Sequence, residues 1–191
     1  MMRKIERENT GLMRAGQDLA VAGYAGLAGT LALAEARSQE LSLFFSDEYM
    51  EKIAGCRTLI LEKRDAAFWR GLGASEWEPV GEGGILTAIW NLSGAYETGV
   101  EFSLRKIPLR QETVEVCERL ELNPYRLYSE GCYLLAADNG GQLVEKLAGE
   151  GIFAQVIGRV KDGIAREMIV QDGRGFLERP QPDEMWKVLN T

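Results

Sequence analysis

Two glycine-rich segments carry what chemistry this sequence advertises. Gly23-Tyr24-Ala25-Gly26-Leu27-Ala28-Gly29-Thr30 follows a short apolar run and leads into residues dense in Ala and Leu. Gly81-Glu82-Gly83-Gly84-Ile85 opens a second stretch with helical periodicity. At a helix start the first backbone N–H groups lack partners within the helix, and the dipole there is positive, so the first loop suits an anion such as phosphate, while the second reads as a ligand-facing loop. Neither pattern is a Walker loop or a GxGxxG fingerprint. The competing reading of the first is that small residues let a helix pack closely on a strand. That of the second is that Glu82 merely caps the helix, where an acidic group contributes about 0.3–1 kcal/mol. On the ligand reading Glu82 would face a cation or a hydroxyl. No base or nucleophile accompanies either loop, so no catalytic residue is assigned. A third segment, Tyr128-Ser129-Glu130-Gly131, reads as a turn entering a strand.

Composition narrows the field further. The 191 residues contain no histidine, which removes the commonest general base and zinc ligand and excludes Ser-His-Asp or Cys-His catalysis within this chain. The net charge of −7 would be repelled by phosphate backbones, so nucleic acid is not an expected partner. Cys56, Cys117 and Cys132 are widely separated and odd in number, as free buried thiols of a reducing cytoplasm would be. No metal site is expected. The start is charged and lacks an apolar signal core. Leu19 to Ala34 is uncharged but shorter than the ~20 residues of a spanning helix, and no membrane association is expected. Trp69, Trp77, Trp90 and Trp186 are not spaced as a base-stacking platform and read as core or interface anchors.

The elements that must position the loops follow from periodicity. Residues 1–14 read as a polar helix and Asp18 to Tyr24 as a buried strand, with Thr30 to Arg37 helical after the glycine turn. Ser46-Asp47-Glu48 can cap a helix, and Leu59 to Arg70 suggests another. After Glu82-Gly83-Gly84, the residues Ile85, Ala88, Ile89, Leu92 and Tyr96 share one helical face. Val100 to Leu104 alternates as a strand; Ile107-Pro108 interrupts any helix. Gln111 to Leu120 is predicted helical with Val114 and Cys117 inward. Cys132 to Ala137 is an apolar strand and Gln142 to Ala148 a helix. Ala154 to Val160 and Ile164 to Val170 read as strands of a hairpin turning at Lys161-Asp162-Gly163. A short helix is expected at Asp183 to Leu189. The order favours an α+β fold, a mixed sheet with helices packed on it.

Read together, these segments resemble a known family. Gly16-Gln17-Asp18-Leu19-Ala20-Val21 with Gly26-Leu27-Ala28-Gly29-Thr30, Glu82-Gly83-Gly84-Ile85, and Gly99-Val100-Glu101 are similar to the carboxy-terminal domain of aminoimidazole ribonucleotide (AIR) synthase-related proteins. Lys106-Ile107-Pro108-Leu109-Arg110 through Cys117 to Leu122-Asn123-Pro124-Tyr125 resembles the hydrogenase-maturation branch most specifically. Ser129-Glu130-Gly131 and Val156-Ile157-Gly158 continue the series. The resemblance implies a helical extension over 1–15, the domain over 16–178 and a tail over 179–191. It also implies glycine loops, with Gly26, Gly29, Thr30, Glu82, Gly83 and Gly84 as the ligand- or phosphate-binding residues, lining one side of a cleft whose other side, with the aspartates for Mg²⁺ and ATP, belongs to an amino-terminal domain. On that basis the chain is expected to lack the ATP-binding half and to take no cofactor alone. Its expected partner is a second copy in a dimer, or a separate amino-terminal-domain protein with which ATP and Mg²⁺ would enter. Ala28 stands where relatives tend to have an acid, and Pro79-Val80-Gly81 where they have an Asp-Val-Thr-like run. The branch's carrier cysteine has no counterpart in Leu189-Asn190-Thr191. A non-catalytic binding or assembly module is thus the first expectation, and half of a split ATP-dependent enzyme the second.

Overall fold

In the computed structural model, which describes residues 12–171 and 173–190, one seven-stranded sheet organises the chain. Its strands are β1 (Asp18–Ala22), β2 (Glu76–Val80), β3 (Gly99–Ser103), β4 (Cys132–Ala137), β5 (Ala154–Lys161), β6 (Arg166–Val170) and β7 (Gly173–Phe176). They lie in the order β2-β4-β1-β5-β3-β6-β7. Neighbours are antiparallel except β3 and β6, which are parallel. This is the α+β architecture expected from the sequence.

The helices are α1 (Leu27–Ala36), α2 (Ser38–Leu41), α3 (Asp47–Gly55), α4 (Ala66–Leu72), α5 (Gly84–Ala95), α6 (Gln111–Arg119), α7 (Gly140–Gly149) and α8 (Trp186–Leu189). Side chains alternate across a strand, so β1 sends Leu19 and Val21 to one face and Ala20 and Ala22 to the other. The first face packs on Ile85, Ile89 and Leu92 of α5. The second packs on Trp69 of α4 and on Leu143 and Leu147 of α7. Covered on both faces, β4 has no polar alternation and reads as a continuous apolar run. A separate cluster joins α1, α3 and α6 through Leu27, Leu33, Ile53 and Val116.

Several expectations are corrected. The Lys161-Asp162-Gly163 reversal does not make a β5–β6 hairpin, because β3 lies between the two strands and bonds to both. Val100 and Phe102 are buried there, and the side-chain-free Gly99 fits against the carbonyls of Asp162 and Ala165. The closing hairpin is β6–β7 instead. The helix expected over Leu59 to Arg70 begins only at Ala66, where the Asp65 carboxylate accepts from Phe68 N at 2.8 Å and caps it. On α6 the buried residues are Glu112, Thr113, Val116 and Cys117, while Val114 is 42% exposed. The face is turned by packing on α1. Strand β2 was not foreseen; its Pro79 is tolerated because β2 is an edge strand. Of the expected helix over 1–14, residues 1–11 lie outside the described residues, and 12–14 are not helical. No helix among the described residues is long and apolar enough to cross a membrane.

Candidate functional site

The first glycine turn joins β1 to α1, and the N–H groups of Gly23, Ala25, Gly26, Gly29 and Thr30 meet acceptors of the same chain. Gly26 N–H donates to Ser129 Oγ at 2.7 Å, and that hydroxyl donates onward to Leu127 O at 2.7 Å. Gly29 N–H bonds Tyr128 O at 2.8 Å. The Thr30 hydroxyl is fully buried, donating to Gly26 O at 2.8 Å and lying 3.1 Å from Thr113 Oγ1. A Cβ on Gly29 would stand 2.5 Å from Leu127 Cγ, so the glycine is required by the close passage of that residue. The turn is braced from behind by α6. Glu112, with no solvent exposure, accepts from Arg110 Nε at 3.1 Å and faces Lys52 Nζ at 3.0 Å. Burial alone would push the Glu112 carboxyl up. Hydrogen bonds from its own backbone N–H, Arg110 and Lys52 outweigh that and hold it at about 2.

The second turn, at the amino terminus of α5, is closed by a different device. Gly83 N–H donates to Asp183 Oδ2 at 2.6 Å. Asp183 is 1% exposed, and its other oxygen accepts from Tyr128 N at 3.2 Å and Met185 N at 2.9 Å. A carboxylate from the end of the chain thus sits where a helix amino terminus attracts an anion. Trp186 Nε1–H donates to Glu82 Oε1 at 2.8 Å, so the exposed Glu82 serves the same segment. Gly84 N–H turns back to Gly81 O at 3.2 Å. Gly84 has φ +67°, and a Cβ there would stand 2.5 Å from Tyr125 O, a placement only glycine accepts without strain.

Gly26, Gly29 and Gly84 therefore lie against one segment, Asn123 to Gly131, while Thr30, Glu82 and Gly83 bond Thr113, Trp186 and Asp183. The first turn rests on Leu127, Tyr128 and Ser129; the second rests on Tyr125, Arg126 and Ser129, whose N–H bonds Gly81 O at 3.2 Å. The Tyr128-Ser129-Glu130-Gly131 turn is the hub of the arrangement. Tyr128 Oη donates to Glu130 at 2.6 Å, and that bond, followed by burial, pushes the phenol up to about 12. It is not poised as a base near neutral pH. Cys117 and Cys132 are buried thiols pushed up to about 12 by desolvation, inert in the same sense. Among the described residues no three Asp, Glu, His or Cys side chains converge as metal ligands. Sequence reasoning missed Asp183, Trp186 and Arg126. The available signal was Pro182-Asp183, an acidic residue in a capping position before a short helix.

The family model of the AIR synthase related protein, C-terminal domain, matches residues 14–171. The chain belongs to this family. No curated protein matches it significantly in sequence. Its fold is similar to that of the hydrogenase maturation protein HypE from E. coli, with 21% identity and a TM-score of 0.71 over 94% of this chain and 54% of that one. It is also similar to thiamine-monophosphate kinase from Stenotrophomonas maltophilia K279a, at 18% identity and TM-score 0.61, covering 85% of this chain and 52% of that one. A HypE–HypF complex gives 18% identity and TM-score 0.60 over 87% and 54%. The AIR synthase-related chain thus spans about half the length of these solved relatives.

Proposed function

We propose that this AIR synthase-related domain is a non-catalytic binding or assembly module, related in fold to hydrogenase maturation proteins and acting through association with a second copy or a partner protein in the cytoplasm. The observation that carries this reading is the internal engagement of both glycine turns. Gly26, Gly29, Gly83 and Gly84 each donate to an acceptor of their own chain. Exposed apolar side chains outside the site support an associative role; Ile164 and Phe176 are 73% and 72% exposed beside the β7 edge. Purified chain incubated with ATP and Mg²⁺ is expected to release no phosphate; Mg²⁺-dependent turnover would overturn the reading. Light scattering is expected to show association that grows with concentration, and a monomer at all concentrations would count against it.

One observation favours a second reading, that of one half of a split ATP-dependent enzyme. The chain covers about half of each similar structure, all in the region of the carboxy-terminal family model. Mixing it with a separately expressed amino-terminal-domain protein would then produce ATP turnover that neither shows alone.

A further inference from the structure

The two edges of the sheet differ in what they leave open. On β2 the Trp77 N–H is taken by the Glu76 carboxylate at 2.8 Å. Pro79, two residues on and so on the same side of that strand, has no N–H to offer. On β7, at the other end of the strand order, the following residue Leu177 donates its N–H to Arg166 O at 2.8 Å. Inward and outward backbone groups alternate along an antiparallel strand. Gly175 and Gly173, in register with Met168 and Val170, therefore also turn toward β6. Arg174 and Phe176 turn their N–H and C=O groups outward, where no strand of the described residues receives them. Edges are normally blunted by proline, a bulge or a covering element, but Gly173–Phe176 has no proline and pairs with β6 without a register shift. The side chains of Arg174 and Phe176 share one face and are exposed. Gly173 and Gly175 add nothing to the other, and the space at their Cβ positions is empty to 4 Å. The open face beside this edge is a poorer contact surface than the edge itself. It carries the ion pairs of Arg174 with Glu101 at 3.1 Å and of Arg159 with Asp18 at 3.3 Å, whose burial would cost more than it returned.

We propose that β7 pairs antiparallel with β7 of a second copy about a two-fold axis at Gly175, making one continuous sheet of the two. This rests on reading the domain as an associating module and names the surface it uses. Arg174 of each copy stands opposite Phe176 of the other, and each such pair exchanges both of its N–H···O=C bonds. The same pairing sets a guanidinium against an aromatic ring, a favourable contact of cation and ring quadrupole. A register that placed Arg174 opposite itself would oppose like charges. Gly175 faces its own copy in the non-hydrogen-bonded position, where the backbones come closest and a side chain would intrude. So short an edge buries less than a standard interface, so the dimer is transient and grows with concentration.

The test uses the full chain, ¹⁵N-labelled, over a concentration series with sedimentation velocity in parallel. As dimer accumulates, exchange of the Arg174 and Phe176 amides should slow while that of Trp77 stays unchanged. In a mixture of labelled and unlabelled chain, a filtered NOE spectrum should show the Gly175 α protons of two copies in contact; a dimer without that contact overturns the register. Phe176→Pro removes one outward donor from each copy and leaves the bonds to β6 intact. It should weaken dimerisation by about tenfold or more. Dimerisation of unchanged strength in this variant, or slowed exchange on β2 instead, would sink the β7 pairing while association itself stood. A monomer at every concentration would overturn both. Should Phe176→Pro fail to fold, the wild-type exchange pattern decides, and a dimer whose Arg174 and Phe176 amides exchange as in the monomer refutes the proposal.

Discussion

The two glycine turns look alike in sequence and are satisfied in opposite ways. The first is closed by a segment of the fold's interior: Ser129 and Tyr128 take its amides, while Thr113 of α6 meets Thr30. None of those groups can withdraw without unpacking the α1–α6 cluster. The second is closed by a carboxylate on a chain end, held from outside the sheet. A helix amino terminus is thus satisfied by a hydroxyl and a carbonyl in one case and by a buried carboxylate in the other. The physical need, partners for orphaned N–H groups, does not distinguish a structural turn from a binding turn.

Mutations can break or sharpen that contrast. The largest effect is expected for Gly84→Ala, where a positive φ and a Cβ 2.5 Å from a carbonyl coincide. A loss of about 3 kcal/mol or more is expected in thermal or urea unfolding. Gly81→Ala, with nothing within 4 Å of its Cβ position, should lie within about 0.5 kcal/mol of wild type. Next comes the brace behind the first turn. Glu112→Gln leaves Arg110 and Lys52 without their buried partner, for a loss of about 3 kcal/mol at neutral pH. Because the Glu112 carboxyl is depressed from 4.5 to about 2, its contribution is complete above about pH 5 and is lost as pH falls toward 2. Urea titrations at acid pH should show the variant losing less stability than wild type over that interval; parallel curves would refute the assignment.

Ser129→Ala should cost about 1–3 kcal/mol, since Gly26 N–H is then buried without an acceptor. The smallest global effect is expected for Trp186→Phe, under about 1 kcal/mol, because it removes one partly exposed hydrogen bond. It should nevertheless accelerate hydrogen exchange in α8 selectively. Equal acceleration across the sheet would mean that the second turn is as deeply built in as the first.

What the sequence revealed tracks how local each cause is. The apolar run of β4, the Ser46 cap of α3 and the one-sided spacing of α5 depend on near neighbours, and each sits where periodicity puts it. Both glycine turns were legible as helix starts for the same reason. What filled them was not, because Ser129 and Asp183 are brought there by the fold from about a hundred residues away. The misreading of β5 and β6 has the same origin. A turn signal at Lys161-Asp162-Gly163 reports a reversal but cannot reveal that β3 will occupy the space between the strands. Val114 and Val116 are equally apolar, and only the docking of α6 on α1 decides which is buried.

The insertion of β3 also orders events in time. β6 has no place to pair until β3 has been laid against β5, so its ladder waits on a contact between distant parts of the chain, and such contacts form slowly. Every residue of β6 is half-buried and β7 is mostly exposed, which makes this ribbon the last piece to settle and the first to peel away. While it is absent, β3 is itself an open edge. Where the β6–β7 ribbon is unpaired, the β3 edge carrying Val100 and Phe102 would be open, and pairing between chains there would compete with completing the sheet.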